Sequence, residues 1–142
     1  MDKILLVQGG CNVGKTSTLN LVIDMFQIIA SSYEITFSPG DFEGEYDRRA
    51  YFDFYGKKIG VFTSGDTKRN VQECFNYFTE KECDIGICAS HVWSKSAKEM
   101  QKKLKKIDVD YESWHKTRTN GTPQEFAAVV FKKVIETLNI EL

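Results

Sequence analysis

Residues 9–16 read Gly9-Gly10-Cys11-Asn12-Val13-Gly14-Lys15-Thr16. The apolar run Ile4-Leu5-Leu6-Val7 precedes them, and after them Leu19, Val22, Ile23, Phe26 and Ile29-Ala30 recur at helical spacing. A short continuous apolar run bounded by glycines reads as a buried strand, and the 3.6-residue recurrence reads as a helix with one buried side. This strand–turn–helix unit restricts the fold more than any other stretch. Its helix needs a sheet to pack against, and its turn needs a reason to hold three glycines in six positions.

The turn fits G-x-x-x-x-G-K-[ST] at every position, a pattern whose mechanics are those of a phosphate cradle. Gly9 and Gly14 permit backbone angles that other residues avoid and let N–H groups approach an anion closely. A helix beginning near Lys15 adds unpaired N–H groups and a positive dipole end. The backbone from Gly10 through Cys11, Asn12 and Val13 would wrap the α- and β-phosphates, with Ser17 in the same first turn. Lys15 would reach the β- and γ-phosphates, and the Thr16 hydroxyl would ligate Mg²⁺.

The rest of the chain alternates strands and helices without repeats or a long linker. Ile35 and Phe37 alternate with Thr36 as a short strand ending before Pro39. Residues 38–50 form an irregular charged loop. Residues 51–55 and 58–63 are two arms of a hairpin, and Gly56 first in a two-residue loop suits a type II′ turn. Asp66 is a natural N-cap for a helix burying Val71, Cys74, Phe75 and Phe78. Ile85-Gly86-Ile87-Cys88-Ala89 is another buried strand. Ser96-Ala97-Lys98-Glu99 fits a capping box opening a lysine-rich helix to about residue 105, and Thr122-Pro123-Gln124-Glu125 fits a second, with Pro at the first helical position. Between them Ile107, Val109 and Tyr111 alternate as a last strand. The final helix buries Phe126, Val129, Val130, Val134 and Leu138. The sum predicts one domain over residues 1–142. It is an α/β three-layer sandwich with a mainly parallel sheet, one antiparallel hairpin strand at the edge, and helices on both faces.

In such sheets ligands bind at the carboxyl ends of the strands. A magnesium-binding acid is therefore expected at the end of an apolar strand near the turn. Asp66, after Ile59 to Phe62, is the first candidate, with Asp41 and Asp53 behind it. Arg69, one turn past Asp66, is the candidate cation for stabilising a transferred phosphoryl group. Arg48 and Arg49 are candidates for an acceptor, and Lys95 and Lys98 for a short lid. Asp41 is placed to take a proton from an acceptor hydroxyl. A nucleotide base would rest on residues 116–121, with Arg118 stacked on its face. Trp93 and Trp114 stand near strand ends, suited to stacking or to rim packing. His91 follows a strand end, as a γ-phosphate sensor or a plain surface histidine.

Composition narrows the partners. The net charge of −1 provides no field to recruit nucleic acid or an anionic membrane. No apolar run approaches the roughly 20 residues of a membrane span. The amino terminus reads as a core strand rather than a signal peptide, which points to the cytoplasm. Cys74, Cys83 and Cys88 read as buried small hydrophobes rather than a zinc set with His91. Cys11 differs: it lies in the N–H-rich turn beside Lys15, where oxidation would block phosphate binding.

Residues 9–16, with their strand and helix, resemble the P-loop nucleoside triphosphatase superfamily. The resemblance implies a Mg²⁺-bound nucleoside triphosphate, with Lys15 on the phosphates and Thr16 on the metal. Two subclasses are similar in different ways. The hairpin before the acid-bearing strand and the wording Asn12-Val13-Gly14-Lys15-Thr16 look like small GTPases, yet no Asn-Lys-x-Asp guanine run occurs. Asp41-x-x-Gly44 and Asp53-x-x-Gly56 match the Asp-x-x-Gly wording but precede the strand end. The compact size and lid-like basic helix look like small nucleotide-kinase-type proteins. ATP is the expected nucleotide. The expected reaction is ATP hydrolysis or phosphoryl transfer to an unidentified small-molecule or protein acceptor. The alternatives are a nucleotide switch module with little turnover and a degenerate assembly subunit.

Overall fold

The computed structural model describes residues 1–30, 32, 36–39 and 47–139. Asp41, Gly44 and Ile35 of the expectations above lie outside these. Ten elements run in the order β1 (Lys3–Gln8), α1 (Lys15–Ala30), β2 (Thr36–Pro39), β3 (Arg49–Phe54), β4 (Lys57–Phe62), α2 (Lys68–Glu80), β5 (Ile85–Ser90), α3 (Lys95–Ile107), β6 (Asp110–His115) and α4 (Pro123–Leu138). The sheet has six strands in the order β2-β3-β4-β5-β1-β6. β4, β5, β1 and β6 are parallel, and β3 is antiparallel to both its neighbours. The antiparallel hairpin strand is therefore internal, and β2, rather than β3, forms that edge.

Alternation along β1 divides the core. Leu5 and Val7 meet Leu19, Val22 and Phe26 of α1 and Val130 and Val134 of α4. Ile4 and Leu6 meet Val71, Cys74 and Phe78 of α2 and Met100 and Leu104 of α3. Thus α1 and α4 cover one face, α2 and α3 the other, and the expected three layers are present. β5 is buried at every position, as a central parallel strand covered on both faces must be. Gly60 and Gly86 are register partners. A Cβ on Gly86 would stand 2.5 Å from the Phe78 ring; the bare backbone lets that ring lie flat on the sheet. No helix among the described residues is long and apolar enough to cross a membrane.

Four local expectations are corrected. The hairpin loop is Tyr55-Gly56 with φ of 53° and 88°, the paired positive angles of a type I′ turn. Asp53 serves that turn by accepting from Gly56 N at 2.8 Å. α2 is capped by Thr67, not Asp66: Thr67 Oγ1 accepts from Asn70 N at 3.0 Å and Asn70 Oδ1 accepts from Thr67 N at 3.2 Å. α3 begins after Ser94, which makes no side-chain cap. The Ser96 hydroxyl instead donates to Gly65 O at 2.5 Å. α3 also runs on to Ile107, ended by Asp108 at φ 49°. The last strand therefore starts at Asp110, later than the alternation of Ile107, Val109 and Tyr111 indicated. α4 starts as expected, with Thr122 accepting from Glu125 N at 3.1 Å behind Pro123.

Candidate functional site

The turn between β1 and α1 is held by its neighbours. Gly9 N donates to Ser90 O at 3.2 Å, and Lys116 N donates to Gln8 O at 2.7 Å. A Cβ on Gly9 would stand 2.4 Å from the Lys116 carbonyl oxygen, so only glycine fits. Gly14 has φ +101°, outside the range most L-residues adopt. The turn thus gets its shape from β5 and β6 as well as from its own glycines.

Lys15 opens α1, and its side chain is only 5 % exposed. Its Nζ donates to Gly9 O at 2.7 Å and stands 3.3 Å from Asp66 Oδ1. Because Thr67 caps α2, the Asp66 carboxylate is left to face this cation. His91 joins from the end of β5, with Nε2 3.2 Å from the same Asp66 oxygen. Cys11 Sγ lies 3.8 Å from that nitrogen. A cleft of about 60 Å³ is lined by Asn12, Val13, Gly14, Lys15, Thr16 and Asp66. It combines backbone donors, one buried ammonium, one hydroxyl and one carboxylate. That set suits phosphate oxygens beside a hard cation.

The site also lies where the topology favours one. The helix leaving β1 packs on one face and the helix leaving β5 on the other. Those two strands are adjacent, so their carboxyl ends open a crevice at a topological switch point.

The structure gathers residues 9–16 with Asp66, while other candidates go elsewhere. Ser17 follows Thr16 in the first turn of α1. Arg69 pairs through Nε with Glu73 at 2.8 Å and is 86 % exposed, so its guanidinium is not in the Lys15–Asp66 cluster. Arg48 Nη1 binds Asp24 of α1 at 2.9 Å, and the Arg49 guanidinium stacks 5.1 Å from the Tyr77 ring centroid. Both are used in holding the fold. Lys95 lines a second cleft at the start of α3, and Lys98 is exposed one turn on. Arg118 is exposed on the loop after β6. Trp114 packs against the core beneath α1 and α4, whereas Trp93 is 76 % exposed. His91 is not a surface histidine, being 12 % exposed.

Lys116 is a residue that the sequence pattern does not single out. It is 2 % exposed, with its Nζ donating to Thr117 O and lying 5.3 Å from the Phe126 ring centroid. It supports the cradle through its backbone, and its side chain runs beneath Gly14. Asn120 organises the same loop: Oδ1 accepts from Thr117 N at 2.8 Å and Nδ2 donates to His115 O at 2.7 Å. The cysteines of the α2–α3 layer are buried. Burial pushes the Cys74 thiol well up. Burial, and then the negative charge of Asp84, push Cys83 up to about 12. Such thiols are inert packing groups.

No family model matches the chain, and no curated protein matches it. Among solved structures it is similar to a de novo designed protein of the PFK fold, determined in solution by NMR. The identity is 15 % and the TM-score 0.51, over 100 % of this chain and 95 % of that one. A second designed protein of the PFK fold gives 17 % identity and a TM-score of 0.47 over the same shares. The first likeness shows the fold, a three-layer α/β sandwich.

Proposed function

We propose that this chain is a P-loop protein that binds a magnesium–nucleoside triphosphate, with ATP as the nucleotide. It hydrolyses the nucleotide or transfers its terminal phosphoryl group. The observation carrying this reading is the meeting of Lys15 and Asp66, from different strand ends, at 3.3 Å across the glycine turn. Sequence proximity does not produce that meeting; the order of strands does.

The donor set fits the ion, since Thr16 and Asp66 supply hard oxygens to one cleft. Thr16 and Asp66 would hold magnesium, which would supply neutralisation of phosphate charge. The chain's own groups do the rest. Backbone N–H groups of residues 10–16 donate to phosphate oxygens. Lys15 leaves Asp66 and the Gly9 carbonyl and turns its ammonium to the β- and γ-oxygens. His91, protonated at Nε2, donates to Asp66 Oδ1 and holds the carboxylate in place. ATP is preferred because the sequence has no Asn-Lys-x-Asp run, and the Asn120 amide is committed to its own loop. Arg118, exposed on that loop, is the base-stacking residue.

A nucleotide switch is the second reading, favoured by one feature. Asp66 and His91 lie on the connections leading into α2 and α3; Asp66 is a partner that Lys15 must leave, and His91 touches that same carboxylate. Occupancy of the cradle therefore reaches both helices.

Calorimetric titration of Mg-ATP and Mg-GTP into the wild type and Lys15→Ala, with a turnover assay beside it, tests the proposal. We expect selective ATP binding that weakens roughly 10- to 100-fold in Lys15→Ala, the range of a lost charged hydrogen bond. Binding without turnover selects the switch reading. Selectivity for GTP moves the chain to a GTPase-like protein, and no binding to the wild type overturns the proposal.

A further inference from the structure

We propose that β6 is the seam of a symmetric dimer, where the sheet continues from one copy of the chain into a second through antiparallel β6 strands. The proposal does not depend on the nucleotide. The sheet has two edges, β2 and β6. β2 has four residues and closes on Pro39, a device that keeps exposed edges from pairing. β6 has six residues, Asp110–His115, and no proline. Its carboxylates do not guard it, because Asp110 pairs with Lys3 and Glu112 with Lys133, each at 3.2 Å. Among the described residues no strand lies beyond it. A groove of about 490 Å³ lies between Tyr111 and the α3 residues Gln101 and Leu104, and Tyr111, Ser113 and His115 are all exposed.

The hydrogen-bond phase of the strand sets the pairing. Lys116 N donates to Gln8 O of β1 at 2.7 Å. Backbone groups of alternate residues face alternate sides of a strand. Asp110, Glu112 and Trp114 therefore turn theirs to β1, and Tyr111, Ser113 and His115 turn theirs outward. His115 O agrees, since it accepts from Asn120 Nδ2 at 2.7 Å instead of from β1. A second copy must bring the same three residues to face these. With Ser113 on the two-fold axis, Ser113 meets Ser113 and Tyr111 meets His115 of the second copy, so the whole outward row is paired. Glu112 then stands opposite Trp114, and no like charges meet. Centring on Glu112 would put two carboxylates in direct opposition, which is destabilising. Centring on Trp114 would leave Tyr111 opposite Thr117, outside β6. The charge pattern thus selects one register, and a second copy of this chain fits it.

Sedimentation velocity of the full chain at rising concentration tests the proposal, and a monomer–dimer equilibrium is expected. Ser113→Pro removes an outward N–H and leaves the ladder to β1 intact, a position where an edge strand accepts proline. It should weaken the dimer roughly 10- to 100-fold, the range for two lost hydrogen bonds, while Ser113→Ala retains it. Circular dichroism reports whether the proline variant folds. A second measurement holds even if it does not. In a Cys11→Ser background, Ser113→Cys places two thiols across the axis. The Cα atoms of such a pair are about 5.5 Å apart, within disulfide reach. Mild oxidation should link Ser113→Cys into a dimer and leave Tyr111→Cys, which faces His115, unlinked. A monomer at every concentration overturns the proposal. So does a dimer that a folded Ser113→Pro leaves unchanged, or equal cross-linking of the two cysteine variants.

Discussion

Cys11 is the exposed one of four cysteines, and its Sγ is 3.8 Å from His91 Nε2. It sits in the turn that would wrap the phosphates, so a bulky group on its sulfur and a bound nucleotide compete for space. An aromatic disulfide reagent should therefore label this cysteine first in the folded protein. Mg-ATP should slow the labelling, and Lys15→Ala should abolish that protection. Peptide mass spectrometry over a labelling time course reads all three, and labelling indifferent to Mg-ATP would count against the placement of the nucleotide. Residues 9–16 were legible from sequence because the cradle is a local device: glycines, lysine and threonine act within one turn. Lys116 was not, and His91 was a candidate only for following a strand end, with a plain surface histidine as its alternative. Each reaches the cradle only because β5 and β6 flank β1, a pairing across about 80 and 100 residues of chain that no local spacing encodes. The single clue was position, since both follow the last residue of a strand.

At the level of elements, one boundary decides which way Asp66 faces. Asp66 and Thr67 are adjacent, and either residue type suits an N-cap. The capping box with Asn70 goes to Thr67, which leaves Asp66 to turn toward Lys15. The two residues should therefore separate cleanly. Thr67→Ala should lower stability by about 1 kcal/mol in urea denaturation, the usual cost of a lost cap, and leave Mg-ATP binding intact. Asp66→Asn should stay within about 0.5 kcal/mol of the wild type, because an ion pair with a 60 % exposed partner is well screened. It should nevertheless weaken the dependence of ATP binding on magnesium. A stability loss in Asp66→Asn matching that of Thr67→Ala would return the cap to Asp66 and remove it from the proposed magnesium site. The order and type of the elements were legible because apolar periodicity is strong in β1, α1, β5 and α4. Their ends were less so. Asp108 stops α3 through a left-handed angle, whereas a side-chain pattern alone lets Ile107 pass for strand. Ser96 has the spacing of a capping residue, but its hydroxyl is taken by Gly65 O, a partner from another strand end.

Across the whole molecule, the two layers of the core differ in chemistry. The layer of α1 and α4 is built from aliphatic and aromatic side chains, whereas that of α2 and α3 also holds Cys74, Cys83, Cys88 and Tyr77. Burial pushes both Cys83 and Tyr77 up to about 12, from ordinary values of 9.0 and 10.0. The folded chain therefore keeps these protons at pH values where the unfolded chain releases them. Stability from this source is complete below pH 9.0 and declines as pH rises toward 12, since the unfolded state then binds fewer protons than the folded one. Thermal unfolding across that window should show a falling Tm. Cys83→Ala should start from a lower Tm, because a packed sulfur is lost, but fall less steeply with pH, leaving the later decline that belongs to Tyr77. An unchanged slope in Cys83→Ala would show that the thiol does not couple to folding. The α2–α3 layer would then have to be loose enough to ionise without unfolding. That same layer carries α2 and α3, whose leading connections bear Asp66 and His91, so its rigidity bears directly on how firmly these two side chains are held beside Lys15.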